Sequence, residues 1–358
     1  MTKLMKSCKK LLFYDIIKLK LSGGEMMFKE LVDIKEDNIL QFDCELLSII
    51  LKDNSSNKNI IWATDNYKDR GYGFGEKDYI TIEKVTGLYG QIIKPRVRKS
   101  KEEQNKRIKD KAEVFTPSWI CNKQNNLIDN EWFEKENVFN KEIDKKWKTN
   151  NKKIVFPPNK TWMDYISLIR LEISCGEAPY LVSRYDTVTG KSIPLENRIG
   201  LLDRKFRVLN ENVNDELEWL ECSKKVVKSI YGFDWQGDNV LLARENVLYT
   251  YADNYKYKFN KKPSPELIKE IAEIISWNIW QMDGINYIIP HSCKNDKIVE
   301  LTLFGEEIIT NECVGCKKNS IHKHNGIYSY IMNWETNRKN KVINIIDRKK
   351  GLKSERRS

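Results

Sequence analysis

Three groups of residues have the types and spacing to do chemistry. The first is Leu171-Glu-Ile-Ser-Cys-Gly-Glu-Ala-Pro-Tyr-Leu181. An apolar lead-in through Leu168, Ile169, Leu171 and Ile173 meets a small-residue turn at Cys175 and Gly176, the pattern of strand, tight turn and helix start. Glycine at such a turn lets the backbone approach a ligand, and an acid nearby holds a charged or hydroxyl group of it. Further on, the apolar strand Ile230-Tyr-Gly-Phe ends in Asp234 ahead of an apolar-periodic helix. An acid at the carboxyl end of a second strand suits a ribose, because its oxygens accept from both hydroxyls of the diol. The second group is Cys293, Cys313-Val-Gly-Cys316, His322 and His324. Soft thiolate and imidazole ligands at two-residue spacing suit tetrahedral zinc. Cys313 and Cys316 form one pair, His322 or His324 the third ligand, and Cys293 or His291 the fourth. The third group is a basic stripe, Arg96, Arg98, Lys99, Lys101, Lys106 and Arg107, able to track a phosphate backbone. A solvated helix face is the alternative reading of the same charges.

These residues need elements to position them. Leu40 to Leu51 has helical spacing, Asn59 to Thr64 is strand-like, and Tyr79 to Val85 alternates as a half-buried strand. Trp119 to Trp132, Leu195 to Leu209, Asp215 to Ile230 and Glu266 to Ile279 read as helices, the last with Ser264 as N-cap and Pro265 as first helical residue. Arg198, Arg204 and Arg207 give the 195–209 segment a second basic surface that could meet DNA. Lys141 to Lys153 is an exposed, lysine-rich connection, and Gly326 to Trp334 a final strand or helix. The expected division is a tail over 1–26, a mixed α/β lobe and basic linker over 27–110, a nucleotide-binding domain over 111–290, a Cys/His extension over 291–346 and a mobile basic tail over 347–358.

Composition narrows the class. A hydrophobic content of 40% excludes disorder over the whole length, and a net charge of +11 favours polyanionic partners, since each cation set against a phosphate releases counterions. The eight cysteines include one close pair, and no apolar run reaches the length of a membrane span. A cytoplasmic protein with reduced thiols is expected. The basic and then apolar start is broken by Tyr14, Asp15, Lys18 and Lys20, too early for a signal peptide.

Taken with Lys111-Ala-Glu-Val-Phe-Thr-Pro-Ser-Trp119 upstream and Asn278-Ile-Trp-Gln-Met-Asp-Gly284 downstream, the ordered motifs resemble the adenine-specific (amino) DNA methyltransferases of restriction-modification systems, in particular proteins labelled restriction endonuclease subunit M. The resemblance runs from Asn59 to Trp334. It implies a Rossmann-like S-adenosylmethionine-dependent methyltransferase core. It sets Phe115, Thr116 and Pro117 beside the methionine part of the cofactor, Glu172, Cys175 and Gly176 at its amino-acid and backbone contacts, Asp234 at the ribose and Asp283 at the adenine. It further implies double-stranded DNA as substrate and restriction or specificity subunits as partners. The sequence departs from the family at Glu172, Ile173 and Ala178, and the catalytic Asn/Asp-Pro-Pro-Tyr/Phe expected after Asp283 is missing. Asn286, Tyr287 and His291 are the nearest chemical substitutes. Two other functions follow from that departure and from the cysteines: a non-catalytic cofactor- and DNA-binding subunit, or a zinc-containing nucleic-acid-binding protein.

Overall fold

The computed structural model describes residues 34–355, apart from 112, 114, 115, 303 and 304. The tail expected over 1–26 and Phe115 therefore lie outside the described residues. Helices α1 (Glu36–Phe42) and α2 (Cys44–Leu51) open the fold, followed by the ribbon β1 (Lys52–Asp53) and β2 (Lys58–Asn59). Helices α3 (Lys101–Lys111) and α4 (Ser118–Phe133) precede the hairpin β3 (Asn140–Ile143) and β4 (Lys146–Thr149), then α5 (Trp162–Ser167). The centre runs β5 (Arg170–Ile173), α6 (Leu201–Asn212), α7 (Glu216–Lys228), β6 (Ile230–Asp234), α8 (Gly237–Phe259), α9 (Pro265–Asn278) and β7 (Ile279–Gln281). The hairpin β8 (Asp296–Thr302) and β9 (Gly305–Asn311), α10 (Val314–Lys318), the hairpin β10 (Tyr330–Asn333) and β11 (Arg338–Lys341), and α11 (Val342–Glu355) complete it. The chain is thus mixed α/β with small sheets, one of them parallel.

The parallel sheet positions the site. Its order is β5-β6-β7, with Leu171 opposite Tyr231 and Phe233 opposite Trp280. Because side chains alternate along a strand, Ile230 and Ile279 face the main core while Tyr231, Phe233 and Trp280 face the other side. The main core joins them to the buried faces of α6, α7, α8 and α9, with Trp219, Phe206 and Tyr251 among its largest members. The second, smaller core packs Phe233, Trp280 and Met282 on Val342 of α11, with Tyr287 and Ile331 against it. β5 is an edge: among the described residues no strand pairs with its outer side, and Leu171 and Ile173 are exposed.

Residues 34–93 share this same main core through Leu46, Ile50, Trp62, Ile80 and Val85. Arg244, wholly buried on α8, ties them in: its guanidinium donates to the carbonyls of Ile50, Lys52, Ser276 and Ile279 at 2.7–3.1 Å. The strand expected at Asn59 to Thr64 shrinks to β2 and a single bridge, Ile61 to Tyr79. Its neighbour is a side chain: Gln281 accepts from the Ile61 N–H and donates to the Ile61 carbonyl, both at 2.9 Å, as a strand would. The alternating run Tyr79 to Val85 turns into a 3-10 helix at Ile82–Lys84. The helix expected over Leu40 to Leu51 is two, because Asp43 is extended and its side chain caps α2 through the Glu45 and Leu46 amides. Ser264 and Pro265 start α9 as expected. The mobile tail expected from Asp347 is instead helical through Glu355, anchored at its start by buried Val342 and Ile343.

Candidate metal centre and the adjoining strand ends

Cys293, Cys313, Cys316 and His324 converge, with every pair of ligand atoms within 4.8 Å. The Nδ1 of His324 lies 3.5 Å from the Cys293 sulfur, 3.6 Å from that of Cys316 and 4.0 Å from that of Cys313. A tetrahedral zinc with bonds of about 2.3 Å to sulfur and about 2.05 Å to nitrogen requires S···N separations of about 3.6 Å. Two of the three S···N separations match that geometry and the third is within about 0.4 Å of it, so the group could hold a metal ion. Burial opposes ionisation of Cys313, but hydrogen bonds to its sulfur from the Asn325, Cys316 and Gly315 N–H groups and the Cys293 thiol together outweigh it and bring the thiol down to about 7.

Local sequence builds this arrangement. Cys313 is the N-cap residue of α10, so Cys316 returns within one turn. Gly315 stands against His324: a Cβ there would lie 2.5 Å from the His324 nitrogen and 2.6 Å from its Cγ. Gly326 stands equally close to Cys293, where a Cβ would meet the sulfur at 2.9 Å. Of the two histidines left open by their spacing, His324 is the one that joins the cysteines; His322 is exposed and faces Asp347 at 3.6 Å. His291 is also outside the group, its Nε2 3.3 Å from the Ala63 carbonyl and its ring edge-on to Trp235.

The cluster adjoins the carboxyl ends of β6 and β7. A cavity of ≈ 270 Å³ lies between them, lined by Trp235, Asp283, Asn286, His291, Cys293 and Cys316. Asp234 and Asp283 are neighbours through the Met282 N–H, which donates to the Asp234 carbonyl at 3.0 Å. The Asp234 carboxylate accepts from the Gly176 N–H at 2.9 Å and the Gln236 N–H at 2.9 Å, and burial pushes its pKa up to about 6. Glu172 is buried in β5 and accepts from the amides of Tyr180 and Leu181; burial raises its pKa well above the ordinary carboxylate range. Cys175 is buried, and burial likewise raises its thiol. Thr116 and Pro117 precede α4, the Thr116 carbonyl accepting from Thr187 at 2.9 Å. The turn after β5 is left-handed at Ser174, Gly176 and Ala178, and no helix follows it where the sequence pattern expects one. Tyr287 and His291 are left-handed as well. Such backbone costs roughly 1–3 kcal/mol per non-glycine residue and collects at ligand sites.

Two buried side-chain atoms beside the turn after β6 have no hydrogen-bond partner: Glu113 Oε1 and Asn239 Oδ1. Glu113 reaches it through Gln236 at 2.9 Å and Asn239 through Asp234 at 3.3 Å. Buried polar atoms are nearly always paired, so two open acceptors beside strand ends suit a polar ligand.

The basic stripe divides. Arg98, Lys101 and Lys106 are exposed and Arg96 half-buried, but Lys99 and Arg107 turn inward and cannot meet a phosphate backbone. Arg107 is held by Glu113 at 3.0 Å and Asp238 at 2.5 Å, beside the hydroxyl of Tyr67. The second basic surface is also spent internally: Arg204 binds Asp129 at 2.7 Å with its side chain 1% exposed, Arg198 binds Asp253, and Arg207 binds Glu211. The ≈ 310 Å³ cavity beside Arg204 and Arg207 is lined by these ion-paired guanidiniums, with Arg204 Nε and Asp203 Oδ1 left without a hydrogen-bond partner. Of the substitutes for the missing tetrapeptide, Asn286 is bonded to Asp283 and His324, and Tyr287 packs on the second core.

Among the described residues every cysteine is a free thiol, and no helix is long and apolar enough to cross a membrane. No protein-family profile, curated protein or solved structure matches the chain.

Proposed function

We propose that the chain binds S-adenosylmethionine at the carboxyl ends of β5, β6 and β7 and serves as the adenine-methylating modification subunit of a restriction-modification system, with a structural zinc in the Cys293/Cys313/Cys316/His324 group. The observation that carries the reading is the convergence of Gly176, Asp234 and Asp283 at adjacent parallel strand ends. The order β5-β6-β7 corresponds to one half of a doubly wound, Rossmann-like sheet, whose ligands bind outside the carboxyl ends of the strands. The unpartnered oxygens of Glu113 and Asn239 are acceptors of the kind the cofactor's hydroxyl and amino groups require. Asp234 keeps capacity for a ribose hydroxyl, since each carboxylate oxygen offers two lone pairs and Oδ2 accepts one bond here. Trp235 and Asp283 line the cavity on the side assigned to adenine. The cofactor, when bound, supplies an electrophilic methyl group. The protein's own part is to orient a flipped adenine toward it and exclude water.

Calorimetric titration of the zinc-loaded chain with S-adenosylmethionine tests the reading. Gly176→Val blocks the backbone approach and Asp234→Ala removes the ribose acceptor, each costing about 1–3 kcal/mol of binding. Unchanged affinity in both variants overturns the cofactor assignment.

A second reading is a cofactor- and DNA-binding subunit whose partner supplies the catalytic loop. Two observations favour it. Asn286 and Tyr287 are committed to internal contacts, and the open edge of β5 exposes Ile169, Leu171 and Ile173 where a doubly wound sheet would continue. Incubating the chain alone with labelled cofactor and mixed-sequence duplex separates the two. Transfer to adenine that is abolished by mutating Asn286 or Tyr287 assigns the chemistry to this chain, and no transfer until a partner subunit is added assigns it to the partner.

A further inference from the structure

The metal group and the cavity wall are connected by one chain of side-chain hydrogen bonds. His324 Nε2 lies 3.1 Å from Asn286 Oδ1, and Asn286 Nδ2 donates to Asp283 Oδ2 at 2.7 Å. The other Asp283 oxygen accepts from the backbone amides of Ile285 at 2.8 Å and Asn286 at 3.2 Å. Each link dictates the next. An ionised carboxylate only accepts, so the amide nitrogen of Asn286 must face Asp283 and its oxygen must face the imidazole. The imidazole must then carry its proton on Nε2, which leaves the Nδ1 lone pair aimed at the three sulfurs. A histidine that ligates metal through one nitrogen ordinarily has its tautomer set by a partner on the other. Here that partner is Asn286, and beyond it stands the acid at the end of β7.

We infer that Asn286 is a positioning residue that couples metal binding to the loop 283–291, so that the metal-loaded protein presents Asp283 in a fixed orientation to the ≈ 270 Å³ cavity. Metal fixes the His324 ring, the ring fixes the Asn286 amide, and the amide fixes the Asp283 carboxylate. Backbone pairing also holds part of this loop, through Ile289 N–H to the Ile327 carbonyl at 2.8 Å and Ser329 N–H to the Tyr287 carbonyl at 2.9 Å. The backbone of Asp283 is paired too, its N–H with the Ile288 carbonyl and its carbonyl with the Tyr287 N–H, both at 2.8 Å, so the metal-dependent portion is the Asp283 carboxylate and the Ile285 and Asn286 amides that bond to it. Linkage is reciprocal, so a ligand that binds oriented Asp283 raises metal affinity by the same factor that metal raises its own. That the ligand carries an adenine rests on the function proposed above; the coupling does not.

The test uses the full chain, loaded with zinc and stripped by a chelator under reducing conditions, as wild type and Asn286→Leu. Three readouts are expected: zinc affinity about 10–100-fold weaker in the variant; loss of amide-exchange protection at Ile285 and Asn286 on stripping, with α9 unchanged; and imidazole nitrogen shifts showing the Nε2–H tautomer of His324 in stripped wild type but not in stripped N286L. The tautomer readout separates coupling from a merely structural contribution of Asn286, and intact α9 protection separates it from unfolding. Equal zinc affinity in both proteins, absence of bound zinc, or unchanged protection at Ile285 and Asn286 on stripping overturns the inference. A titration with S-adenosylmethionine is run in parallel: if zinc-loaded wild type fails to bind it, the proposed function falls, while the exchange and tautomer results still decide the coupling.

Discussion

Replacing Arg107 with methionine distinguishes a nucleic-acid contact from an internal strut. Its side chain is 5% exposed and sits between Glu113 at 3.0 Å and Asp238 at 2.5 Å, themselves 5% and 1% exposed. Removing one partner of a buried ion pair strands the remaining charges and costs roughly 3–5 kcal/mol. Part of that cost can be assigned. Burial pushes the Asp238 carboxyl up, but Arg107 and Lys99 outweigh it and hold the group at about 2, against an ordinary 3.8. A shift of that size corresponds to about 2 kcal/mol of stability. Because the folded value lies below the unfolded one, this stability is fully present above about pH 4 and disappears as pH falls through about 2. Urea unfolding should therefore find Arg107→Met destabilised by about 3–5 kcal/mol at pH 7 and by less at pH 3. Adding Asp238→Asn should recover part of the loss, since it removes the stranded charge. Arg98→Met, on the exposed side of the stripe, should stay within about 0.5 kcal/mol of wild type. A cost below about 1 kcal/mol for Arg107→Met, together with a fall in DNA affinity equal to that of Arg98→Met, would refute the internal role.

Two further outcomes follow from the same geometry. Neutralising Arg98, Lys101 and Lys106 together should flatten the dependence of log DNA affinity on log salt by about three units, near 0.9 for each phosphate no longer neutralised; an unchanged slope makes the stripe a solvated face. Gly315→Ala should weaken zinc binding in a competition with a chromogenic chelator, because the new Cβ meets the backbone nitrogen of His324 at 2.5 Å, whereas Val314→Ala, exposed on α10, should leave it unchanged.

Local pattern carries the parts of the fold whose causes are local. Ser264 and Pro265 start α9 because a hydroxyl cap and a preset φ act within one turn. The apolar strand ending in Asp234 is readable because period and acid lie in one short segment. Asp43 is the exception, a polar residue inside an apolar run that caps the second of two helices where periodicity alone shows one. The strand expected from Asn59 fails for a different reason. Its hydrogen-bonding partner is the Gln281 amide, 220 residues away, and no periodicity in the segment itself records that.

The site shows the same division between local and distant causes. The spacing of Cys313 and Cys316 announces a ligand pair, but the choice between His322 and His324 depends on Gly315 and Asn286. A glycine inside the Cys-x-x-Cys turn is a usable signal, since it marks where another backbone approaches, and here that backbone is His324. Arg107 shows the opposite limit. On α3 it is the charged residue that is buried and the neighbouring Ile108 that is exposed, so apolar periodicity points the wrong way round the helix. Its partner Asp238 lies 131 residues further along, at the start of α8. A basic stripe therefore predicts a phosphate-facing surface only for those cations that no buried carboxylate claims. In this chain Arg98, Lys101 and Lys106 have no carboxylate partner among the described ion pairs, whereas Arg107 is claimed by Glu113 and Asp238 at the carboxyl end of the parallel sheet.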